Sequence, residues 1–178
     1  DGTTGSATNY GAIVVGPFSN VSSFGGNISN SGTLSVSAAN TSGSVFAAGV
    51  LSGASIFTGS IINNGTIAGS ATLAGTSGNL NVLGVTVGGS LFTGNVSNVG
   101  TISVSGVSTD SRGNVNVTGI ATNYQTFVGG ITNSGMLSVT ASGAGNCDHS
   151  VFASGILVNA TRFGPTSVGA VGGIVNSS

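Results

Sequence analysis

One unit recurs through this chain of 178 residues, and it constrains the fold more than any other feature. FGGNISNSGTLSV begins at Phe24, FTGSIINNGTIAG at Phe57, FTGNVSNVGTISV at Phe92 and FVGGITNSGMLSV at Phe127. Each copy has an aromatic, a glycine two residues on, an aliphatic four on and an asparagine six on. A glycine stands eight residues before each aromatic, at Gly16, Gly49, Gly84, Gly119 and Gly155, in steps of 33, 35, 35 and 36 residues. The fifth copy opens at Phe163 and carries seven extra residues before GGIVNS resumes the pattern. Self-similarity at a period of this length marks stacked structural units.

Inside each unit the apolar residues alternate. Val115, Val117 and Ile120 approach and pass the anchor glycine, Phe127, Gly129 and Ile131 follow at spacing two, and Leu137 and Val139 do the same. Period-two alternation predicts half-buried strands, three per unit. The break at the anchor glycine predicts a bend or bulge, and the Asn-x-Gly step predicts a sharp turn through left-handed backbone angles. Composition agrees. There is no Lys and no Glu, only 3 % of residues are charged, and 39 % are hydrophobic. Disordered chains show the opposite balance.

Three strands and a variable loop in about 35 residues suit one turn of a parallel β-helix. Equivalent residues then stack about 4.8 Å apart. The expected fold is all-β: a single β-solenoid domain over residues 1–178, about five coils. The expected ladders are Phe24, Phe57, Phe92 and Phe127 inside, and Asn30, Asn63, Asn98 and Asn133 at a corner. A threonine column follows at Thr33, Thr66 and Thr101, interrupted by Met136. Stacked asparagines satisfy one another's amides, whereas stacked like charges repel, which accounts for the missing Lys and Glu. Two shorter coils per repeat is the alternative, although no half-period is visible.

ISNSGTLSVSA, VSNVGTISVSG and ITNSGMLSVTA resemble the repeats of bacterial autotransporter passenger domains and similar β-helical surface adhesins. The resemblance spans about Gly11 to Asn176. It implies a right-handed parallel β-helix, export across a bacterial envelope and an extracellular, cell-surface location. The chain is shorter than most such passengers, and no membrane barrel follows within these residues.

Several function classes are disfavoured. Phosphate binding needs clustered Lys and Arg, and only Arg112 and Arg162 exist, so no nucleic-acid partner is expected. No apolar run is long enough for a membrane-spanning helix. Neither a metal nor a cofactor is expected: three aspartates cannot serve five turns with calcium, and the single Cys147 excludes a cysteine-rich site. Eight Asn-x-Ser/Thr sequons follow from composition. Nearly all the charge falls in one loop column, with Asp110 and Arg112 in one copy and Cys147, Asp148 and His149 in the next. Asp110 and Asp148 are the best dyad for a polysaccharide-active enzyme, but solvated loop residues are the stronger reading, and the chain is not expected to be an enzyme. As a recognition surface for cells or glycans, the same loops support an adhesin.

The tail, ending Ile174-Val175-Asn176, stops in mid-unit, while Gly2-Thr3-Thr4 and the residues after them resemble Gly65 to Thr72. Tail and head are therefore expected to complete one another between subunits. A contact of that kind that does not close generates a filament. The function expected from the sequence is structural: a surface-fibre subunit stacking head to tail, or a section of a longer array.

Overall fold

The computed structural model describes residues 7–15, 21–41, 43–74, 78–109, 113–143, 150–165 and 172–177. Each coil pairs with the next in parallel register. Phe24 lies opposite Phe57, Phe57 opposite Phe92, Phe92 opposite Phe127 and Phe127 opposite Phe163. One repeat is therefore one coil, and the two-coil alternative falls away.

The first coil contains β1 (Ala7–Val15), β2 (Ser23–Gly25), β3 (Ile28–Asn30) and β4 (Thr33–Asn40). The second contains β5 (Val45–Ser52), β6 (Ile56–Thr58), β7 (Ile61–Asn63) and β8 (Thr66–Leu73). In the third and fourth the first two strands run together: β9 (Leu80–Thr93), β10 (Val96–Asn98) and β11 (Thr101–Ser108), then β12 (Val115–Val128), β13 (Ile131–Asn133) and β14 (Met136–Gly143). The last coil supplies β15 (Val151–Asn159), β16 (Arg162–Phe163) and β17 (Ile174–Asn176). The long side of the solenoid is the sheet β1-β5-β9-β12-β15, joined by β2, β6 and β16. The short side is β17-β13-β10-β7-β3, and the third side is β14-β11-β8-β4. Four turns have all three sides, and the last contributes to two among the described residues.

Three local features differ from the sequence expectation. First, Phe127 and Ile131 do not share a strand. The chain turns between them at Gly129, with φ of 140°, and at the equivalent Gly26, Gly59 and Gly94, with φ of 132°, 142° and 148°. Those angles exclude most side chains, so this corner, not the Asn-x-Gly step, is the left-handed one. At the Asn-x-Gly step the glycines serve close stacking: a Cβ on Gly65, Gly100 or Gly135 would strike the carbonyl of Gly32, Gly65 or Gly100 one coil away.

Second, the anchor glycine marks a change of phase rather than a loss of register. Val115 and Val117 point inward, then Ile120, Thr122 and Tyr124 do, while Thr118 stays opposite Leu83 and Ile120 opposite Val85. All central coils slip at the same place, so their pairing survives. A Cβ on Gly119 would meet the Leu137 side chain and, at 2.8 Å, the Gly155 carbonyl. Ile67 and Ile102 fill the same space against Gly49 and Gly84.

Third, the first coil is offset. Tyr10 pairs with Ala48 and Ile13 with Val50, so Gly11 and Ala12 bulge opposite Gly49. Gly11 and Ala12, not Gly16, therefore stand in the anchor column, and Gly16 lies outside the described residues. Ala7 and Thr8 pair with Val45 and Phe46 on the long side. They are not in the third strand, where the likeness to Ala71 and Thr72 put them. Gly2, Thr3 and Thr4, the rest of that likeness, lie outside the described residues.

Candidate functional site

The features that recur in every coil form ladders along the axis. Phe24, Phe57, Phe92, Phe127 and Phe163 stack with ring centroids 4.9, 5.0, 4.5 and 5.1 Å apart. The strand spacing imposes this distance, and it falls where aromatic pairs attract beyond their buried area. Beside them runs an amide ladder. The Asn30 Nδ2 donates to Asn63 Oδ1 at 2.7 Å, Asn63 to Asn98 at 2.7 Å, Asn98 to Asn133 at 2.6 Å and Asn133 to Asn176 at 2.7 Å. Each donor amide also reaches a main-chain carbonyl past the corner, as Asn63 does to Gly65 and Thr101. In the first coil Asn30 Oδ1 instead accepts from its own Gly32 N–H at 3.2 Å. Buried amides need such partners, and a chain of them polarises along its length.

Two further ladders escaped the sequence reading. Ser44 Oγ accepts from Asn79 N–H at 3.1 Å, Asn79 Oδ1 from Asn114 N–H at 3.0 Å, and Asn114 Oδ1 from Ser150 N–H at 2.9 Å. Asn27 Oδ1, Ser60 Oγ and Asn95 Oδ1 likewise take the main-chain N–H one coil on, at Ser60, Asn95 and Gly130. Their signal was present, since a Ser or Asn precedes Val45, Leu80, Val115 and Val151 in every copy. It was hidden because those residues are common throughout the chain.

One side chain departs from the repeat. Tyr124 is buried, and its hydroxyl donates to the Ala54 carbonyl at 3.0 Å. Its ring lies 5.5 Å from that of Phe92, tilted by 58°. Burial pushes the phenol up to about 12, so it remains a donor across the physiological range.

The two ends of the stack differ. In the first coil Ile28 is 6 % exposed and Val36 3 %, although no described strand lies beyond them, and β1 packs against β4. In the last coil Ile156, Val158 and Phe163 stay packed against the core while other core positions open to water. Val151, in the column of Val115, is 46 % exposed where Val115 is 1 %. Ile174, in the column of Ile131, is 50 % exposed where Ile131 is 0 %. The edges of β15, β17 and β14 have no described strand beyond them.

The remaining expected residues lie elsewhere. Ile174 and Asn176 are in β17 on that open face. Gly2, Thr3 and Thr4 lie outside the described residues, as do Asp110, Arg112, Cys147, Asp148 and His149. Their flanks are placed: Ser108 lies opposite Gly143 and Val115 opposite Val151, so both loops leave the same edge one coil apart. Arg162, exposed in β16, borders a shallow cleft of about 380 Å³ with Phe127, Phe163 and Pro165. Among the described residues no helix is long and apolar enough to cross a membrane.

This geometry defines a parallel β-solenoid repeat protein. No family model, curated protein or solved structure matches the chain.

Proposed function

We propose that the protein is a structural β-solenoid element of an extracellular, cell-surface assembly, and that its open coil face takes a further coil in parallel register, supplied by a second copy. The observation that carries this is the exposure of Val151 and Ile174 in columns that are otherwise dry. At such a face strand edges with no described strand beyond them and an apolar floor occur together, a template for another strand. The low charge supports the same reading, because copies approaching along the axis meet little repulsion. The resemblance to surface-adhesin repeats supports the location. In this reading the last coil of one copy meets the first coil of the next.

Sedimentation across a concentration series, with electron microscopy of the concentrated sample, tests this. Concentration-dependent rods with a strand spacing of about 4.8 Å along their length are expected. Introducing a charge by Ile174→Lys should shorten or abolish them while the coil signature in circular dichroism persists. A monodisperse monomer at high concentration, or rods indifferent to Ile174→Lys, would sink the proposal.

A further inference from the structure

The ladders that hold this solenoid together cannot tell one coil from another. A phenylalanine, an asparagine and an anchor glycine stand at the same places in successive coils. A coil that skipped its neighbour and docked on the next would find the same ladders. Chains built from similar units face this competing state, and something must specify against it.

Tyr124 occupies a column that changes steeply from coil to coil, and it is the one side chain in such a column that bonds two coils away among the described residues. Gly89 lies opposite it in the third coil. Ala54 occupies the same column in the second coil, midway between Ser52, opposite Val87, and Ile56, opposite Leu91. In the last coil the position after Asn159 is Ala160. The tyrosine ring passes through the room that Gly89 leaves. A Cβ on Gly89 would strike the Ala54 carbonyl and would sit 2.7 Å from Tyr124 Cε1 and 2.9 Å from the Ser55 carbonyl. The hydroxyl then bonds to the Ala54 carbonyl, 70 residues away, across the intervening coil.

We propose that Tyr124, Gly89 and Ala54 form a register key: one bulky, one absent and one small side chain in the fourth, third and second coils, compatible with a single order of stacking. Skipping the third coil would set the ring on the Ala54 methyl in place of the glycine. Stacking the fourth coil on the fourth coil of another copy would set tyrosine on tyrosine. The key also couples coils two apart, whereas solenoid coils ordinarily couple only to their neighbours. The inference does not rest on self-association.

Amide hydrogen exchange on the whole chain tests it. Tyr124→Phe keeps the ring and removes the hydroxyl. It is expected to speed exchange roughly five- to tenfold, the size of one net hydrogen bond, at second-coil amides beside Ala54. These are Gly53 and Ile56, which donate to Val15 and Ser22. The last coil, which touches the fourth directly, should be unaffected. A uniform rise in every coil, or one confined to the third and last coils, overturns the coupling. Refolded from denaturant, Tyr124→Ala should give a bimodal exchange envelope in the second coil as part of the chains stack in the wrong order. A single native-like envelope overturns the key. Should Tyr124→Ala not fold, Tyr124→Leu decides in its place: it keeps an apolar side chain but cannot pass Gly89 to the Ala54 carbonyl, so the same bimodal envelope is expected, and a single native-like envelope would overturn the key.

Discussion

The fourth coil and the last coil carry nearly the same pattern and sit in different worlds. Val115 and Val151 share a column, as do Ile131 and Ile174, Phe127 and Phe163, Asn133 and Asn176, and Gly119 and Gly155. In the fourth coil these residues are dry and sandwiched. In the last, Val151 and Ile174 are about half exposed and no described coil lies beyond them. The lesson is that for Val115 and Ile131 the burial comes from a coil on each side, so the stability of such a position depends on its place in the stack as well as on its identity.

Matched substitutions in one column separate those two contributions, and urea or thermal unfolding reads them. The largest difference is expected for the rings. Phe92→Ala removes a fully buried side chain stacked on both faces and should cost about 3–5 kcal/mol. Phe163→Ala, half-buried and stacked on one face, should cost roughly a third of that. Equal costs would show that the last coil is covered in solution, as the proposed self-association requires at high concentration.

The anchor glycines come next. Gly119→Ala forces a methyl against Leu137 and the Gly155 carbonyl and should cost about 1–3 kcal/mol. At Gly155 the nearest atom to such a methyl is Leu137 Cδ2 at 3.4 Å, so Gly155→Ala should stay within about 0.5 kcal/mol of the parent. For the amide ladder, Asn98→Ala strips an acceptor from Asn63 and a donor from Asn133. The expected loss is about 1–3 kcal/mol, against less than about 1 kcal/mol for Asn176→Ala at the open end.

Two smaller effects sharpen the description of the interior. The Tyr124 phenol is raised to about 12 in the fold from an ordinary value near 10. Its contribution is therefore complete below about pH 10 and is lost as pH rises toward 12. An alkaline unfolding step in that window should vanish in Tyr124→Phe. Thr122 Oγ1 is buried with no partner among the described residues, in a column where Val87 and Val158 flank it. Thr122→Val should gain about 1 kcal/mol, because an unsatisfied hydroxyl is replaced by a methyl of the same shape.

Repetition decided what was legible in the sequence. The strands, the period and the Phe and Asn columns could be read directly, because a residue type recurring at 33 to 36 positions has few uses other than stacking on itself. The capping Ser and Asn columns were present but submerged in a chain full of both residues. The corner at Gly129 was misplaced because alternation continues through it: Phe127 and Ile131 both point inward even though they lie on different sides of the coil. Register in the first coil could not be read, since the bulge at Gly11 and Ala12 shifts the pairing without changing composition.

The sequence by itself determined that this chain folds into stacked parallel coils with aromatic and amide ladders, because only in-register stacking rewards a repeat of that kind. The tertiary structure alone decided which end is open, where each glycine is forced, and that Tyr124 reaches past Gly89 to a carbonyl two coils away. Those outcomes depend on which atoms meet across 35 or 70 residues of chain, and such a distance leaves no local trace in the order of the amino acids.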